Sequence, residues 1–341
     1  MGLFSFLSQE IAIDLGTANT IIIQDDKVVV DEPSIVTLDT QTQQAVAIGT
    51  KARQMMGKAH EGLKVVRPMK DGVIADFKCA EIMIRGMIKM MEHNKSHLFT
   101  PSLKIVICIP SGCTEVELRA VRDSAENAGG REVYMIHEPM AAAIGIGLDV
   151  EEPQGNMIVD IGGGTTEIAV IALGGIVCDK SIKVAGDVFT SKIQEALRAN
   201  HSIKVGERTA EEIKMSVGSA LSDLENPPTE YLVRGPHQVT AAPLEIPISH
   251  REIAAWLDEP LTQIENAVVA ALEATPPELY SDISRDGIWL TGGGALLKGL
   301  AERLQRKTGI KFKIAEDPLH SVARGTGIAL KNIDKYQFLI R

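Results

Sequence analysis

Two segments of the chain share a pattern of acidic, glycine and hydroxyl residues that suits phosphate and metal chemistry. Residues 11–23 read IAIDLGTANTIII, and residues 157–170 read MIVDIGGGTTEIAV. In each segment an aspartate ends an apolar run, a glycine stands two residues later, and a threonine precedes a second apolar run. Three pairs of residues lie at one constant offset along the chain: Asp14 and Asp160, Gly16 and Gly162, and Thr20 and Thr166. The constant offset indicates a duplicated unit.

Each segment contains a loop of small residues whose backbone N–H groups can point inward and bind phosphate oxygens. The expected donors are Gly16, Thr17, Ala18 and Asn19 in the first loop and Gly162, Gly163, Gly164 and Thr165 in the second. One such loop alone would more often be an ordinary hairpin turn. Because the pattern occurs twice in register, we expect the two loops to hold the phosphates of one nucleotide from opposite sides.

The two aspartates are candidate metal ligands. Asp14 and Asp160 each stand at the end of an apolar run, and two carboxylates near the same phosphates repel each other unless a cation lies between them. Mg²⁺ suits this role because it prefers oxygen ligands and keeps several of its own waters. No GxxxxGK[ST] or GxGxxG motif occurs in the chain, which excludes P-loop and Rossmann-type binding.

The elements that position these loops are predicted to be two antiparallel meanders. Each loop joins two runs rich in β-branched residues, which predicts a β-hairpin, and a third short strand follows it. The third strands are Val28 to Val30 in the first copy and Ile176 with Val177 in the second.

Downstream of each meander the same order of strand, turn, helix, strand, acidic residue with proline, and helix is predicted. In the first copy these are a strand at 103–109, a helix from the capping box of Thr114 and Glu117 to about 128, a strand at 133–136 and a helix opened by Glu138 and Pro139. In the second copy they are a strand at 288–291, a turn at 292–294, a helix at 296–306, a strand at 312–315 and a helix opened by Asp317 and Pro318.

Two copies of this order predict two similar α/β domains with mixed sheets, facing each other across a cleft. Residues 32–67 and 181–244 have no counterpart in the other half, so they are predicted to be insertions. In the second insertion Thr209 and Glu212 match a capping box.

Composition narrows the classes of function. A chain of 341 residues is too long for a single hydrophobic core. With 35 Lys and Arg against 45 Asp and Glu, the net charge of −10 argues against nucleic acid as a partner. The 4 cysteines form no CxxC pair, which favours a reducing cytoplasm. No apolar stretch reaches the roughly 20 residues that cross a bilayer.

Several motifs together resemble the nucleotide-site motifs of the actin, sugar-kinase and heat-shock-chaperone ATPase superfamily. They are the two hairpins, EPMAAAIG at 138–145, LTGGGALL at 290–297 and VARGTGIAL at 322–330. Within that superfamily the chain resembles the MreB family of bacterial actins from Ile11 to about Leu330. The strings that carry this closer resemblance are VVDEPSIV at 29–36, RPMKDGVIADF at 67–77, GERTAEEIKMSVGSA at 206–220 and TPPELYSDI at 275–283.

The resemblance implies an α/β, actin-like ATPase fold in which two duplicated ribonuclease-H-like domains surround a nucleotide cleft, each with a small inserted subdomain. The implied division is a first core domain of residues 1–31, 68–143 and 316–341 with subdomain 32–67, and a second core domain of residues 144–180 and 245–315 with subdomain 181–244.

The resemblance also implies roles for single residues. Glu138 would activate the attacking water, and Thr165 would help to position it. The residues that would contact the adenosine are Gly292, Gly293, Gly294 and Ala295 in the glycine turn, and Glu211, Glu212, Ile213 and Lys214 near the ribose and base edge.

Without the resemblance, these residues have simpler interpretations. The glycine run would be a plain turn between a strand and a helix, and Glu211 with Lys214 would be a solvent-exposed ion pair on one helical face. His137 departs from the family pattern, which commonly has an acid there, so its role is open.

The implied function is that of an ATP-binding and ATP-hydrolysing bacterial actin. Such a protein binds ATP or ADP with Mg²⁺, and its ATPase activity is coupled to polymer dynamics. It forms homopolymers of paired protofilaments at the inner face of the cytoplasmic membrane and organises cell-wall synthesis to maintain rod shape. The partners that the resemblance implies are RodZ, MreC and MreD. The alternatives on the same fold are a small-molecule kinase and a cell-division or plasmid-segregation actin.

Two apolar segments are candidates for membrane contact. Leu98 and Phe99 match the family's membrane-inserting loop. The N-terminal residues Leu3, Phe4, Phe6 and Leu7 are either an apolar tip that enters the membrane interface or a segment packed on the protein before the first strand. Because an acidic protein is weakly attracted to anionic lipid, apolar insertion would have to supply the binding energy.

Overall fold

A computed structural model describes residues 8–92 and 102–341 of the chain. The chain forms two compact units, the first made of Met1–Pro153, Ile171–Val177 and Leu319–Arg341 and the second of Gln154–Val170 and Cys178–Pro318. None of the helices in the described ranges has the length and apolar character needed to span a membrane.

The strands within the described residues are β1 (Ser8–Leu15), β2 (Asn19–Gln24), β3 (Lys27–Pro33), β4 (Val36–Asp39), β5 (Ala45–Ile48), β6 (Leu63–Val66), β7 (Met69–Lys70), β8 (Val73–Ile74), β9 (Ser102–Ile109), β10 (Gly130–His137), β11 (Asn156–Ile161), β12 (Thr166–Ala172), β13 (Gly175–Ile182), β14 (Tyr231–Pro236), β15 (Pro243–Ile248), β16 (Ile288–Thr291) and β17 (Phe312–Ile314). The helices are α1 (Thr50–Met55), α2 (Phe77–Glu92), α3 (Glu115–Asn127), α4 (Glu138–Gly145), α5 (Gly186–His201), α6 (Glu207–Val217), α7 (His250–Trp256), α8 (Asp258–Ala274), α9 (Pro277–Asp286), α10 (Leu300–Thr308) and α11 (Ser321–Lys331).

The first unit is built on a mixed sheet with the strand order β10-β9-β1-β2-β3. Strands β1, β2 and β3 form the predicted antiparallel meander, while β9 lies parallel to β1 and β10 parallel to β9. Parallel neighbours need a crossover connection, and α3 supplies it between β9 and β10. Alternate residues of the sheet, such as Ile11 and Ile105, share a core with Met83 and Ile84 of α2.

A second five-stranded sheet, most of which belongs to the second unit, repeats this arrangement with the order β13-β12-β11-β16-β17. Strand β11 is parallel to β16, and β16 is parallel to β17, with α10 as the crossover. In both sheets the three strands of a meander lie side by side, and two further strands, parallel to the first strand of the meander, continue the sheet next to it. The duplicated mixed sheet predicted from the sequence is therefore confirmed.

The two stretches without a counterpart fold differently from each other. In the first, β4 lies between β5 and β6 in a small antiparallel sheet next to α1. In the second, α5 and α6 precede the hairpin of β14 and β15. The boundaries of the four-part division given above stay a prediction.

Three predicted helix starts are wrong, and two are confirmed, those of α3 and of α4 at Glu138 and Pro139. Thr114 and Glu117 form both hydrogen bonds of a capping box at the start of α3. The box predicted at Thr209 does not form, because α6 already begins at Glu207 after Gly206. An acidic residue in this first turn is favoured by the helix dipole.

The other two wrong starts lie in the second copy. A 3₁₀ turn occupies Gly293–Leu296, and α10 begins only after Gly299, whose φ of 76° is left-handed. The last helix begins at Ser321 rather than at Pro318, since the Pro318 carbonyl accepts a hydrogen bond from Gly292 N–H at 2.9 Å and is not free to start the helix.

Helices α4 and α11 pack backbone to backbone in the first unit. A Cβ placed on Gly325 would lie 1.7 Å from the Ala141 carbonyl oxygen, and one on Gly145 would lie 1.9 Å from the Ser321 carbonyl oxygen. Only glycine permits so close an approach.

We expect Gly325→Ala to lower the free energy of unfolding by about 2 to 3 kcal/mol, because the added methyl group forces the two backbones apart. Gly206→Ala is the matched control, since no atom lies within 4 Å of its Cβ position, while both changes restrict the unfolded chain equally. Chemical denaturation of both variants measures the difference. Equal stabilities would contradict the close packing.

Candidate functional site

The first hairpin loop, residues 16–19, is tied to the protein through its carbonyl groups. The Ser34 hydroxyl donates to the Gly16 carbonyl at 2.6 Å, and the Ser34 N–H donates to the Ala18 carbonyl at 2.9 Å. The Thr20 hydroxyl at the start of β2 lies 2.9 Å from the same Ser34 hydroxyl. In these bonds the carbonyl oxygens of the loop are the acceptors. They therefore leave the N–H groups of the loop able to donate to phosphate oxygens.

A second anchor comes from the short hairpin of β7 and β8. Its turn residues Asp71 and Gly72 have φ values of 51° and 79°, as a two-residue type I′ turn requires. Gly72 N–H donates to the Thr17 hydroxyl at 3.0 Å. The Asp-Gly pair in KDGV therefore places a hydrogen bond on the first loop.

The second hairpin loop, residues 162–165, is closed by one of its own expected donors. Gly162 N–H donates to the Thr165 carbonyl at 2.9 Å. The N–H groups of Gly163, Gly164 and Thr165 are then the expected phosphate donors. Two carbonyl groups also anchor the loop: Gly162 O accepts a hydrogen bond from Gly186 N–H at 3.1 Å, and Gly163 O accepts one from Asp187 N–H at 2.8 Å.

Lys214 lies beside the second loop. Its ammonium group donates to the Gly186 carbonyl at 3.0 Å and lies 2.7 Å from Glu211 Oε2. Glu211 also accepts from the Thr190 hydroxyl at 2.5 Å. The side chains of Lys214 and Glu211 are only 16% and 28% exposed, so the expected ion pair forms but is partly buried.

The neighbours of this pair on α6 point elsewhere. Glu212 forms an exposed ion pair with Arg208 at 2.9 Å, and the Ile213 side chain is fully buried in the core of the second unit. The structure thus brings Glu211 and Lys214, but not the side chains of Glu212 and Ile213, to the second loop.

The glycine turn after β16 packs directly on the end of β11. The Thr291 hydroxyl donates to Asp160 Oδ1 at 2.9 Å, and both residues are buried. A Cβ on Gly292 would lie 2.6 Å from that carboxylate oxygen, and one on Gly294 would lie 2.2 Å from Cγ2 of Ile161. Packing against β11 therefore explains these two glycines without a ligand. Gly293 is exposed and Ala295 is buried.

Asp14 lies at the end of β1 in a partly buried position. The Cys108 thiol at the end of β9 donates to Asp14 Oδ1 at 3.1 Å. Burial raises the pKa of Asp14 from 3.8 to about 6, and the thiol hydrogen bond and His320 only partly oppose this. A cation beside Asp14 would favour its charged form.

The protein ligands available to a magnesium ion can be compared with the described residues. No group of three or more His, Cys, Asp or Glu residues within them is placed to bind a metal ion. A single carboxylate such as that of Asp14 suits Mg²⁺ where the ion takes its other ligands from water and phosphate oxygens, which is the usual way this ion is bound in nucleotide sites.

Glu138 is the first residue of α4, and the proline at the next position suits a helix start. Burial raises the pKa of the Cys108 thiol well above its usual value, and the charges of Asp14 and Glu138 add to the rise. The two carboxylates therefore lie close to the same thiol. His137 precedes the helix as its N-cap residue, and its Nδ1 is buried without a hydrogen-bond partner in the described ranges.

Sequence reasoning missed Ser34, Cys108 and His320. The signal for Cys108 was present, because β1 and β9 are parallel and the carboxyl ends of parallel neighbours meet at one edge of a sheet. Ser34 and His320 act across long stretches of chain and leave no local pattern. The membrane candidates Leu3, Phe4, Phe6, Leu7, Leu98 and Phe99 lie outside the described residues.

Two units with the same mixed-sheet order, each carrying a glycine-containing hairpin loop in its meander, define the actin-like ATPase fold. A family model described as MreB/Mbl protein matches residues 8–338. The chain belongs to the MreB/Mbl family, so the predicted resemblance is confirmed.

Individual relatives agree with this placement. The chain is 47% identical over 334 residues to the cell shape-determining protein MreB of Escherichia coli K12, covering 96% of this chain and 95% of that protein. It is 42% identical over 329 residues to the cell shape-determining protein Mbl of Bacillus subtilis 168, covering 96% and 97%. The crystal structure of MreB5 of Spiroplasma citri bound to AMPPNP matches with a TM-score of 0.89 at 36% identity, over 96% and 97% of the two chains. The same protein bound to ADP matches with a TM-score of 0.88.

We expect Asp14→Asn to stabilise the ligand-free protein at pH 7.5. A carboxyl whose pKa is raised on folding stabilises the fold fully below about pH 3.8, and this contribution is lost as the pH rises through about 6. The asparagine side chain carries no charge at any pH, so the variant avoids this loss. Its free energy of unfolding should exceed that of the wild type by at most about 3 kcal/mol at pH 7.5 and by little near pH 4.

Urea unfolding between pH 4 and 7.5, without nucleotide or Mg²⁺, measures this difference. Asp39→Asn is the control in which the stability should change in the opposite direction, because hydrogen bonds from Thr42 lower the pKa of Asp39. This control should be less stable than the wild type at neutral pH. An Asp14→Asn protein that is less stable than the wild type at pH 7.5 would contradict the assignment.

Proposed function

We propose that the chain is an ATP-binding and ATP-hydrolysing bacterial actin that polymerises into membrane-associated filaments and organises cell-wall synthesis to maintain rod shape. The observation that carries this proposal is the repeated hairpin loop, anchored in both units through carbonyl oxygens. The names of the relatives support it, since those from Escherichia coli and Bacillus subtilis are called cell shape-determining proteins and the protein from Spiroplasma citri has been crystallised with AMPPNP and with ADP.

In this proposal both loops bind phosphate oxygens of one nucleotide. The donors are the N–H groups of residues 16–19 in the first loop and of residues 163–165 in the second. Lys214 contributes a positive charge next to the second loop, because its ammonium group already contacts the Gly186 carbonyl there. Glu211, which pairs with Lys214, is assigned to the ribose, and the turn at residues 292–295 to the adenosine.

The hydrolytic step is assigned to residues near the ends of β1, β10 and β11. Glu138 accepts a proton from the attacking water, and Thr165 positions that water. Asp14 and Asp160 hold Mg²⁺ partly through water, and the ion would supply charge neutralisation for the phosphates. The partly buried Asp14 fits this role, because a cation offsets the unfavourable burial of its charge.

The cellular setting is part of the proposal. Homopolymers of paired protofilaments lie in the cytoplasm at the inner face of the cell membrane, held by Leu98, Phe99 and the N-terminal apolar residues. RodZ, MreC and MreD are the proposed partners, and nucleic acid is not. The proposed domains keep the four-part division predicted from the sequence.

We expect Glu138→Gln to keep nucleotide affinity within about twofold but to slow phosphate release by ~10²-fold or more, as loss of a positioned acid–base group does. Binding of Mg·AMPPNP and release of inorganic phosphate from ATP measure the two effects. Glu132→Gln, at an exposed position of β10, the strand that precedes α4, is the control and should release phosphate at the wild-type rate. A Glu138→Gln protein with wild-type turnover would exclude the assignment.

Electron microscopy with ATP and liposomes tests filament formation and membrane binding together. The wild type should form paired protofilaments on the lipid surface. The double change Leu98→Ser with Phe99→Ser should keep the filaments but reduce lipid binding, because apolar insertion is lost. Val116→Ser, which makes the same kind of change at an exposed apolar residue of α3, is the control and should bind lipid as the wild type does. Absence of wild-type polymers would favour a small-molecule kinase, and unchanged lipid binding by the double variant would contradict the membrane assignment.

A further inference from the structure

The side chain of Asn19, at the end of the first hairpin loop, is held from a neighbouring strand. Its amide nitrogen Nδ2 donates to Asp31 Oδ1 at 3.2 Å. Asp31 belongs to β3 and lies opposite Ile21 of β2 in the antiparallel ladder. The register of the meander therefore places a carboxylate beside a loop that we assign to phosphate binding.

The second oxygen of Asp31 faces a histidine from the other end of the chain. His320 Nε2 lies 3.5 Å from Asp31 Oδ2, and His320 is the N-cap residue of α11. Its backbone carbonyl accepts a hydrogen bond from Arg324 N–H at 2.9 Å in the first turn of that helix. Asp31 thus connects the first loop with the start of α11.

The charges around this pair have opposite effects on Asp14. His320 lowers the pKa of Asp14 and Asp31 raises it, so both side chains lie within electrostatic reach of the candidate metal ligand. Within the described residues, His320 interacts electrostatically with Asp31 from β3 and Asp14 from β1, and its own helix carries the charged residue Arg324. Since the side chains of His320 and Asp31 are 31% and 41% exposed, water screens their attraction and its effect should be modest.

A carboxylate beside a phosphate loop is unfavourable for binding a polyphosphate unless its charge is offset. The imidazole of His320 can act on the Asp31 carboxylate in two ways. As a neutral donor it can hold the Asp31 carboxylate in place, and as a cation it also offsets the negative charge. Imidazole ordinarily changes charge between pH 5 and 8, so the two effects separate with pH.

We propose that His320 is a positioning residue for nucleotide binding, which acts through Asp31 on the side chain of Asn19 and offsets the charge of Asp31 beside the nucleotide phosphates. This inference rests on the proposed function of the first loop. His320 reaches the first loop through the Asp31 side chain, so its effect falls on affinity and not on the rate of the chemical step.

The test is calorimetric titration of the full chain with Mg·AMPPNP between pH 6 and 8.5. The wild-type affinity should fall by about three- to fivefold across this range, the size expected for a partly exposed ion pair. His320→Ala should bind about three- to fivefold more weakly at pH 6 and show a flatter profile. His320→Lys should bind as the wild type does at pH 6 and keep that affinity at pH 8.5.

Two further variants separate positioning from a general effect on the fold. In the Asp31→Asn background, His320→Ala should cause no further loss of affinity, because the charge that His320 offsets is gone. His60→Ala, which alters an exposed histidine outside the site, should keep the wild-type affinity and profile. Thermal unfolding of each variant verifies the fold, and His320→Gln replaces His320→Ala if the alanine variant does not fold.

The outcomes distinguish the inference from the proposed function. Wild-type affinity and an unchanged pH profile in His320→Ala and His320→Gln would overturn the role of His320 alone. Independent, additive losses from Asp31→Asn and His320→Ala would also overturn it. A wild type that binds no nucleotide at any pH would overturn the proposed function and this inference together.

Discussion

The hydrogen bonds that hold the carbonyl groups of the two hairpin loops are the constraint on which the rest of the structure depends. A loop can present N–H groups to a phosphate only if its carbonyl oxygens are satisfied elsewhere. In the first unit Ser34 supplies the donors, and in the second unit the start of α5 does so through Gly186 and Asp187. In both units the donors follow the third strand of the meander. The two copies therefore anchor their loops from the same place in the fold but with different residues.

The duplicated aspartates have diverged more than the loops that follow them. Asp160 accepts a hydrogen bond from the Thr291 hydroxyl, whereas Asp14 accepts one from the Cys108 thiol, and a thiol is the weaker donor. Burial dominates at Asp14 and raises its pKa to about 6. A bound cation would therefore offset the unfavourable burial of charge at Asp14, and Asp31 and His320 lie within electrostatic reach of it.

The features that could be predicted from the sequence are those encoded by local patterns. The meanders follow from β-branched runs around small-residue loops, the start of α4 from Glu138 and Pro139, and the start of α3 from the capping box at Thr114. The constant offset between the two aspartate segments was enough to predict two related mixed sheets. Family resemblance then added the roles of residues such as Glu138 and Thr165, which no local pattern reveals.

The predictions that failed depend on contacts between distant parts of the chain. The start of α11 is delayed because the Pro318 carbonyl accepts a hydrogen bond from Gly292, and the Glu211 and Lys214 pair is less exposed than expected because it packs against the start of α5. Cys108 and His320 reach the site only through sheet pairing and through α11. Such contacts arise from tertiary packing and carry no signature in nearby residues.

Hydrogen exchange of the backbone amides, with and without Mg·AMPPNP, tests most directly whether both loops bind phosphate. The Gly162 amide should be protected even without nucleotide, because it already donates to the Thr165 carbonyl. Nucleotide should add protection at residues 16–19 and also at residues 163–165. Added protection in only one of the two loops, or in neither, would contradict the account.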